Sequence, residues 1–557
     1  MPRITFSMII FLGLLNIAPS SISGARVSEQ VGEILENRIK AIAPSSKVIC
    51  RGEWVCQSGV LPRFYELRSF RPIWSDDGGP LPRAESLLRA IEAAPPEGLR
   101  PEDYHLAQIK FLLAETHQEQ TRKILRPEEL ADLDLLLTDS FLTYAFHLLS
   151  GRINSETIRA KWHIQGRKED IVAILQEALD SQQIGKTLHR LLPSNPGYSR
   201  LRETLQTYRT IAQKGGWPEI AANGPKMRLG LRDKRVESLR LRLRSSESMP
   251  LWPSGEADFF DAVLDQAVRR FQQRHGLETD GVVGPATLTA LNIPVQKRIR
   301  QIEANMERWR WLPRDLGDRY ILVNIANFEL QVIEIERPIL AMKVVVGKHY
   351  QRTPVFNADM TYLVFGPYWN VPPRIAREEM LPAIRKDPEY LAKNHLRVLQ
   401  GWGPGMKEID PQAIDWAKLT PDSFPFHIRQ DPGPTNALGR VKFMFPNKFN
   451  VYLHDTPARE LFRRIDREFS HGCIRLEEPV ELAEYVLKDD PRWTRERILA
   501  AMEESKDRKV RLTKPIPVYV LYQTAWVGED GSVHFRKDIY GQDEILEKAL
   551  AEKSPAA

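Results

Sequence analysis

The sequence predicts a multidomain α+β protein, in which a helical scaffold and a small three-helix module precede a mostly β domain with an inserted lid. From about Val27 to Gly230, apolar residues recur at steps of three and four, which is typical of amphipathic helices. From about Arg319 onward, RYILVNIANFELQVIE and MKVVVGK have the β-branched, partly alternating pattern of strands. The length of 557 residues fits several domains of about 100 to 200 residues each.

The composition excludes several other classes of protein. There are 79 Lys and Arg against 73 Asp and Glu, a net charge of +6, without the long basic runs of nucleic-acid arms. Three cysteines are too few for a disulfide framework, and no pair of C-x-x-C elements indicates structural zinc. We therefore expect no nucleic-acid partner and no metal site.

Residues 1–25 have the pattern of an export signal. Arg3 is followed by an uncharged apolar stretch from Ile4 to about Ala18, and then by small residues that place Ser23 and Ala25 at the −3 and −1 positions of a cleavage site. The alternative is an uncleaved membrane anchor, because the uncharged stretch is just long enough to span a bilayer. Export predicts a compartment in which disulfides form.

Two cysteines lie close together in this first part of the chain. Cys50 and Cys56 are separated by five residues in VICRGEWVCQSG, and a tight loop of this size is compatible with a disulfide if the Cα atoms come within about 5.5 Å. The alternative is two buried thiols on a short strand. We predict the disulfide, which leaves Cys473 as the unpaired thiol.

Residues 26–230 form the predicted helical scaffold, which contains no catalytic spacing. Residues 231–295 contain AVRRFQQRHGL and TDGVVGPAT, with Asp280-Gly281 and Gly284 fixing a loop. This pattern resembles the three-helix peptidoglycan-binding module attached to many cell-wall enzymes, and the resemblance implies binding to the wall. The alternative is a bundle that only supports the next domain.

The remaining boundaries follow from changes in composition. Residues 296–318 are predicted as a linker helix, residues 319–545 as the mostly β domain, and residues 546–557 as a tail. Within the β domain, a charged and then Gly/Pro-rich stretch over about 374–426 is predicted to be a lid that covers the functional site.

The residues that indicate chemistry lie in YLHDTPARELFRRIDREFSHGCIRLEEP. Tyr452 to His454 end a predicted strand, and Ser470-His471-Gly472-Cys473-Ile474-Arg475 follows a short charged stretch. A thiol with a pKa of about 8.5 needs a nearby imidazole to become an effective nucleophile at neutral pH. A Cys/His pair on an exported chain therefore suggests acyl transfer. The sequence pattern alone does not choose between His454 and His471 as the base.

Gly472 has a separate role in this prediction. Without a Cβ, it lets the backbone turn so that the N–H groups around Gly472 and Cys473 point toward a developing oxyanion.

The H-D-T and S-H-G-C-I-R segments together resemble the signature of the L,D-transpeptidases. TPVFNADMTYLVFGPYWNVP, RQDPGPTNALGRVKFMFPN and the terminal YVLYQTAWVGEDGSVHFRKDIYG are similar to the long Gram-negative members, which have a scaffold, a peptidoglycan-binding module and a lid. The resemblance implies that Cys473 is the nucleophile and His454 the base. The family holds this base by a backbone carbonyl, so Asp455 receives no catalytic role.

The resemblance also implies a set of substrate-binding residues. Ser470 and His471 would shape the loop, and Tyr452 and Trp369 would line the donor cleft. Arg475 would either hold a carboxylate of the donor stem or brace the loop.

The implied reaction has two steps and needs no cofactor. Cys473 would attack the carbonyl before the terminal D-Ala of a tetrapeptide stem, and a diaminopimelate amine of a second stem would then attack the thioester to form a 3→3 cross-link. The implied partners are peptidoglycan stems and glycan, together with other wall-synthesis enzymes, in the periplasm. A carbapenem would acylate the same cysteine.

Three alternatives remain open from the sequence. The acceptor of the acyl group can be a lipoprotein lysine, a D-amino acid or water. A papain-like wall hydrolase is disfavoured because there the cysteine precedes its histidine. The third alternative is a wall-binding scaffold without catalysis.

Overall fold

The computed structural model describes residues 10–11, 26–42, 48–117, 124–155, 162–164, 166–246, 256–401, 403–504 and 506–552. The predicted signal at 1–25 lies outside these ranges except for a two-residue strand. In the described part of the chain, we find no helix with the length and apolar character needed to cross a bilayer. Helices in the first half and strands in the second confirm the α+β class.

The described residues form two compact units. One contains those within 1–160, 165–315 and 524–557, and the other contains those within 161–164 and 316–523. The elements up to residue 213 are β1 (Ile10–Phe11), α1 (Val27–Lys40), β2 (Val48–Cys50), β3 (Glu53–Val55), α2 (Leu61–Glu66), β4 (Ser75–Asp76), β5 (Gly79–Pro80), α3 (Pro82–Glu92), α4 (Leu106–His117), α5 (Pro127–Ser150), β6 (Trp162–His163), α6 (Ile171–Asp180), α7 (Ile184–Arg190) and α8 (Pro196–Gln213).

Helix α5 is the centre of the scaffold. Most of its residues are buried on all sides, as expected for a helix with an almost continuous apolar sequence. One of its deeply buried carboxylates, Asp134, accepts hydrogen bonds from the Tyr65 hydroxyl and from the N–H groups of Ile73 and Trp74. These bonds satisfy a buried polar group that would otherwise destabilise the fold.

The predicted disulfide between Cys50 and Cys56 is wrong in this structure, where both are free thiols. Strands β2 and β3 form an antiparallel hairpin in which Cys50 pairs with Glu53 and Val48 pairs with Val55. Cys56 therefore follows the far end of the hairpin, about three residues or about 10 Å from Cys50 along the strands. This separation exceeds the roughly 7 Å limit for Cα atoms joined by a disulfide.

The three-helix module contains α9 (Arg235–Arg244), α10 (Ala262–Arg274) and α11 (Pro285–Leu291), and helix α12 (Val295–Arg310) follows. The Asp280-Gly281 turn is held by Gln272 of α10, whose Nε2 donates to Asp280 Oδ1 and whose Oε1 accepts from the Gly281 N–H. Gly281 has φ +74°, a left-handed conformation that favours glycine. The sequence pattern thus located the loop of this module correctly.

The second unit contains most of the strands. Its elements are β7 (Arg319–Asn324), β8 (Glu329–Glu334), β9 (Arg337–Gly347), β10 (Val355–Phe365), β11 (Trp369–Asn370), α13 (Pro373–Ile375), α14 (Leu381–Lys386), α15 (Tyr390–Lys393), β12 (Leu396–Gln400), β13 (Lys407–Ile409), β14 (His427–Gln430), β15 (Val441–Met444), β16 (Leu453–His454), β17 (Glu468–Ser470), β18 (Ile474–Leu476), α16 (Pro479–Leu487), α17 (Arg495–Glu503) and β19 (Arg508–Leu521).

The large sheet of this unit closes on itself. Its strand order is β15-β16-β18-β9-β8-β7-β19-β10-β6, and β10 also pairs with β15. Closure removes the open edges that β15 and β10 would otherwise present. Strands β16 and β18, which flank the signature segment, are therefore adjacent and parallel in the middle of a continuous sheet.

The inserted segment forms a small subdomain with its own sheet and core. Strands β11, β14, β12 and β13 pair in that order, and the core includes Val371, Met380, Val398 and Ile428. The insertion thus extends a few residues beyond both ends of the predicted range 374–426.

The chain ends with β20 (Ala525–Val527), β21 (Val533–Phe535) and α18 (Gln542–Ala551), which belong to the first unit. The second unit therefore ends at Gln523 in the structure, whereas the sequence predicts the end of the β domain at residue 545.

The predicted linker helix at 296–318 corresponds to α12, much of which is buried in the first unit. Arg308 and Arg310 of α12 are buried and pair with Asp543 and Glu307 at 2.6 and 2.8 Å. The pairing of Arg308 with Asp543 joins residues far apart in the chain, so the local sequence pattern does not show it.

Candidate active site

The register of three strands places the signature residues on one face of the large sheet. Lys442 of β15 pairs with His454 of β16, and His454 pairs in turn with Arg475 of β18. Side chains of laterally paired residues point to the same side of a sheet. The alternate residues Phe443, Leu453 and Ile474 are fully buried and point to the other side, into the core.

Tyr452 and Cys473 occupy the next row on the same face. Tyr452 lies two residues before His454, and Cys473 lies two residues before Arg475. Because side chains along a strand alternate between its two faces, Tyr452 and Cys473 lie on the same face as His454 and Arg475. The aromatic rings of Tyr452 and His454 are 5.7 Å apart in an edge-to-face arrangement. We refer to the surface formed by Lys442, Tyr452, His454, Cys473 and Arg475 as the cysteine face.

His454 is buried and is held by main-chain oxygens. Its Nδ1 lies 2.5 Å from the carbonyl oxygen of Asp455, which can only accept a hydrogen bond, so Nδ1 carries the proton. Burial, reinforced by the charge of Arg475, lowers the pKa of His454 to about 3. The ring is therefore neutral at physiological pH, and its Nε2 has a lone pair that can accept a proton.

The carboxylate of Asp455 has a different use. It accepts hydrogen bonds from the N–H groups of Arg440 and Thr456, which fixes the turn after β16. Only the main-chain oxygen of Asp455 contacts the His454 ring. The carboxylate of Asp455 thus supports the turn, and its main-chain oxygen orients the ring of His454.

Cys473 is half-buried and lies among groups that favour a thiolate. Its Sγ is 3.8 Å from the carbonyl oxygen of Asn450. Burial raises the pKa of the Cys473 thiol, while hydrogen bonds from Tyr452 and the positive charges of Arg475 and Lys442 oppose this rise. Cys473 and His454 are thus a neutral thiol and a neutral imidazole at rest.

The loop that carries Cys473 is organised by Ser470 and Gly472. Gly472 has φ +115°, a conformation that L side chains rarely adopt. Its N–H donates to Ser470 Oγ at 3.1 Å, and this hydroxyl donates in turn to the carbonyl of Cys473. The Gly472 N–H is therefore occupied, which leaves the N–H of Cys473 as the candidate oxyanion donor in this structure.

Thr353 is a site residue that the sequence prediction did not include. It is fully buried, its hydroxyl donates to the Gly472 carbonyl at 2.8 Å, and it accepts from the Gly347 N–H at 2.9 Å. Thr353 thereby ties the cysteine loop to the turn after β9. The sequence around Thr353, KHYQRTP, contains no pattern that indicates a catalytic role. Lys442 was also missed, because it alternates with apolar residues as an ordinary exposed strand residue does.

His471 contacts the inserted segment. Its Nε2 lies 2.7 Å from Oε1 of Glu379, which is exposed on the helical turn Ala376–Met380. The structure thus brings His471 into contact with the predicted lid and leaves His454 beside the cysteine row.

Arg475 and Trp369, two further predicted binding residues, differ in position. Arg475 lies on the cysteine face, and its buried Nε has no hydrogen-bond partner among the described residues. Trp369 lies on β11 and packs against the core of the inserted subdomain. In the ranges that the structure describes, no cluster of His, Cys, Asp or Glu side chains is arranged to hold a metal ion.

Three segments of the chain match known domain families. Residues 59–205 match a scaffold domain, residues 232–291 match a "Putative peptidoglycan binding domain", and residues 318–498 match the L,D-transpeptidase catalytic domain. The last match includes every residue of the cysteine face. Residues 318–498 are therefore similar to an L,D-transpeptidase catalytic domain.

Individual proteins resemble parts of this chain. A Haemophilus influenzae protein named "Putative L,D-transpeptidase" is 35% identical over 260 residues, which are 46% of this chain and 51% of that protein. The chain therefore spans about half the length of this relative. An N-acetylmuramoyl-L-alanine amidase, CwlM, from Mycobacterium tuberculosis is 40% identical over 76 residues, which are 12% of this chain and 19% of CwlM.

Solved structures give a further comparison. The crystal structure of an L,D-transpeptidase from Xylanimonas cellulosilytica aligns with this chain at 14% sequence identity and a TM-score of 0.17. The alignment covers 54% of this chain and 100% of the Xylanimonas chain.

Proposed function

We propose that this protein is a peptidoglycan L,D-transpeptidase that uses Cys473 as its nucleophile. The observation that carries the proposal is the convergence of Cys473, His454 and Arg475 on one sheet face within the matched catalytic domain. A tetrapeptide stem is the acyl donor, and its terminal D-Ala is the leaving group. The peptidoglycan-binding match at 232–291 supports the same substrate.

The first step joins Cys473 Sγ to the carbonyl carbon of the diaminopimelate residue. As the C–S bond forms, the thiol proton passes to Nε2 of His454, which is neutral and correctly oriented through its Nδ1–H bond. The resulting imidazolium donates this proton to the D-Ala amine, and the C–N bond breaks. The N–H of Cys473 stabilises the oxyanion, and the charge of Arg475 favours the thiolate that forms during attack.

The second step transfers the acyl group to an amine. A diaminopimelate side-chain amine of a second stem attacks the thioester carbonyl, His454 takes its proton, and the thiol leaves with a proton. The inserted segment, held to the cysteine loop by the His471 and Glu379 contact, limits the access of water to the thioester. The product is a 3→3 cross-link.

The remaining expectations belong to the same proposal. Tyr452 and Trp369 line the donor cleft, Ser470 and His471 shape the loop, and Arg475 is a candidate for the donor carboxylate. The protein acts in the periplasm, is inactivated by carbapenems, and works beside other wall-synthesis enzymes. A lipoprotein lysine, a D-amino acid or water remains an alternative acceptor.

The decisive experiment compares Cys473→Ala with the matched thiol variant Cys56→Ala. With disaccharide-tetrapeptide, the unmodified chain and Cys56→Ala should release D-Ala and form a cross-linked dimer, whereas Cys473→Ala should do neither. Intact-mass measurement after carbapenem treatment should show an adduct on the first two proteins only. Retention of D-Ala release by Cys473→Ala would refute the assignment of the nucleophile.

A further inference from the structure

One cation of the cysteine face, Lys442, has no carboxylate partner. It is half-buried on β15, and among the described residues its ammonium makes neither an ion pair nor a hydrogen bond. Asp507 acts on it electrostatically without pairing with it. By contrast, Lys343 on β9 pairs with Glu477. An ammonium that is partly removed from water is stabilised by an anion, so Lys442 is suited to bind one.

The strand register places Lys442 and Cys473 on opposite sides of His454. Strand β16 lies between β15 and β18, so His454 has Lys442 on one side and Arg475 on the other. Cys473 belongs to the segment that leads into β18, next to Arg475 on the same face. Adjacent strands are about 4.8 Å apart. The thiol, the imidazole and the ammonium therefore follow one another across the face in steps that a small substrate can span.

The ring of Tyr452 connects the two ends of this series. Nζ of Lys442 lies 5.7 Å from the centroid of the ring, within the range of a cation–π contact. The hydroxyl of Tyr452 bonds the thiol of Cys473. The charge of Lys442 also acts on both Cys473 and His454. The ammonium is therefore close enough to influence a group that binds beside them.

The order of these side chains matches the order of atoms around the bond that is cleaved. In the proposed reaction the carbonyl carbon joins Cys473 Sγ, and the nitrogen of D-Ala receives a proton from His454. The carboxylate of D-Ala is attached to the carbon that follows this nitrogen. A stem with its carbonyl at the thiol and its nitrogen at the imidazole therefore extends this carboxylate toward Lys442. Arg475 lies on the side of the thiol, beside the acyl part of the stem.

We propose that Lys442 binds the carboxylate of the D-Ala that leaves the donor stem, and that it thereby selects stems with a free carboxylate at this position. The inference rests on the proposed function. A stem that is amidated or extended at this point places a neutral amide beside the ammonium, and the charge-assisted hydrogen bond is lost. Lys442 is thus a residue that determines the specificity for the leaving group.

The first test uses two alkylating reagents of similar size that differ in charge. Iodoacetate carries a carboxylate next to the carbon that reacts with Cys473 Sγ, whereas iodoacetamide carries a neutral amide there. The ratio of the two rates cancels any change in the fraction of thiolate and reports the local preference for an anion. Lys442→Gln should lower the ratio of the iodoacetate rate to the iodoacetamide rate by about fivefold, as expected for the loss of a partly exposed ion pair. Lys442→Arg should restore it.

Lys509 provides the matched control. It is exposed on β19, and Val364 of β10 lies between it and Lys442 in the same row of paired residues. Lys509→Gln therefore removes the same charge from the same face, farther from the thiol, and should change the ratio much less. An unchanged ratio in Lys442→Gln, or an equal decrease in Lys509→Gln, would overturn the proposal.

The second test changes the leaving group itself. A disaccharide-tetrapeptide is prepared with an amide in place of the terminal carboxylate, while the other carboxylates of the stem stay free. The unmodified protein should release D-alaninamide with a kcat/KM at least about tenfold lower than that for D-Ala, because a charge-assisted hydrogen bond is lost. Lys442→Gln should release both with similar, reduced kcat/KM, and Lys442→Arg should keep the difference. A full preference for the free carboxylate in Lys442→Gln would overturn the assignment, even if both reactions were slower.

Failure of the proposed function would give a different result. The unmodified protein would then release neither D-Ala nor D-alaninamide, whereas the ratio of the alkylation rates at Cys473 would still depend on Lys442. This outcome would overturn the assignment to D-Ala and support an anion site at Lys442.

Discussion

Cys50 in the first unit and Cys473 in the second are both thiols whose pKa is raised by burial, yet their neighbours differ in charge. Cys50 Sγ lies 3.5 Å from Oδ1 of Asp132, and this carboxylate raises the thiol pKa further. Cys473 is instead surrounded by a tyrosine hydroxyl, Arg475 and Lys442, all of which lower its pKa. Burial is common to both, so the sign of the neighbouring charge is what distinguishes the two thiols.

Cys56 extends the comparison. Burial first, and then Asp139, Asp103 and Glu53, raise the pKa of Cys56 to about 12. Both scaffold thiols therefore face carboxylates. The carboxylates beside the scaffold thiols favour their protonated form, whereas the charges beside Cys473 favour its thiolate.

The largest expected effect is selective alkylation. In the native protein near neutral pH, iodoacetamide should modify Cys473 about a hundredfold faster than Cys50, because only the thiolate reacts and Cys50 is both buried and next to Asp132. Peptide mapping by mass spectrometry measures the three rates. After unfolding, all three cysteines should react alike, and equal rates in the native state would contradict the comparison.

Removal of the positive charge beside the thiol should reduce this difference. Arg475→Gln should slow alkylation of Cys473 by about tenfold, because a charge lost next to the thiol raises its pKa. Alkylation does not depend on substrate, so the result is independent of any role of Arg475 in binding the donor. Arg463→Gln, at an exposed position of the same segment, is the control, and an equal decrease there would reject a local effect.

The hydroxyl of Thr353 should matter for both stability and rate. Thr353→Val removes the buried hydroxyl that bonds the Gly347 N–H and the Gly472 carbonyl, which should cost about 1 to 3 kcal/mol in the free energy of unfolding. We also expect kcat for D-Ala release to fall several-fold because the cysteine loop is less well positioned. Denaturant unfolding and steady-state kinetics test this, and Thr353→Ser should restore both; if it does not, the hydroxyl is not responsible.

The smallest effect concerns the contact between the cysteine loop and the inserted segment. Glu379→Gln weakens a partly exposed pair with His471, which is worth about 0.2 to 1 kcal/mol. The ratio of hydrolysis to cross-linking should therefore rise by up to about fivefold. Glu378→Gln breaks the neighbouring pair with Arg374 and should leave the ratio unchanged. Muropeptide chromatography measures both products, and identical ratios in all three proteins would exclude this role of the contact.

Local sequence predicted much of this molecule. Helical periodicity, strand alternation and the Asp280-Gly281 turn are properties of neighbouring residues, so the α+β class and the position of the module could be inferred directly. The S-H-G-C-I-R segment is also continuous in the chain. For the same reason, the sequence identified the candidate nucleophile and the glycine whose conformation the loop requires.

The sequence alone did not determine how distant segments meet. The pairing of Lys442 with His454 and of His454 with Arg475 depends on strand register, the bond between Thr353 and Gly472 joins residues far apart in the chain, and the buried charges of α12 are matched only after folding. The hairpin register likewise separated Cys50 from Cys56. The sequence therefore determined which reactive groups are present, whereas the tertiary structure decided their neighbours, because burial and nearby charge set the pKa of each group.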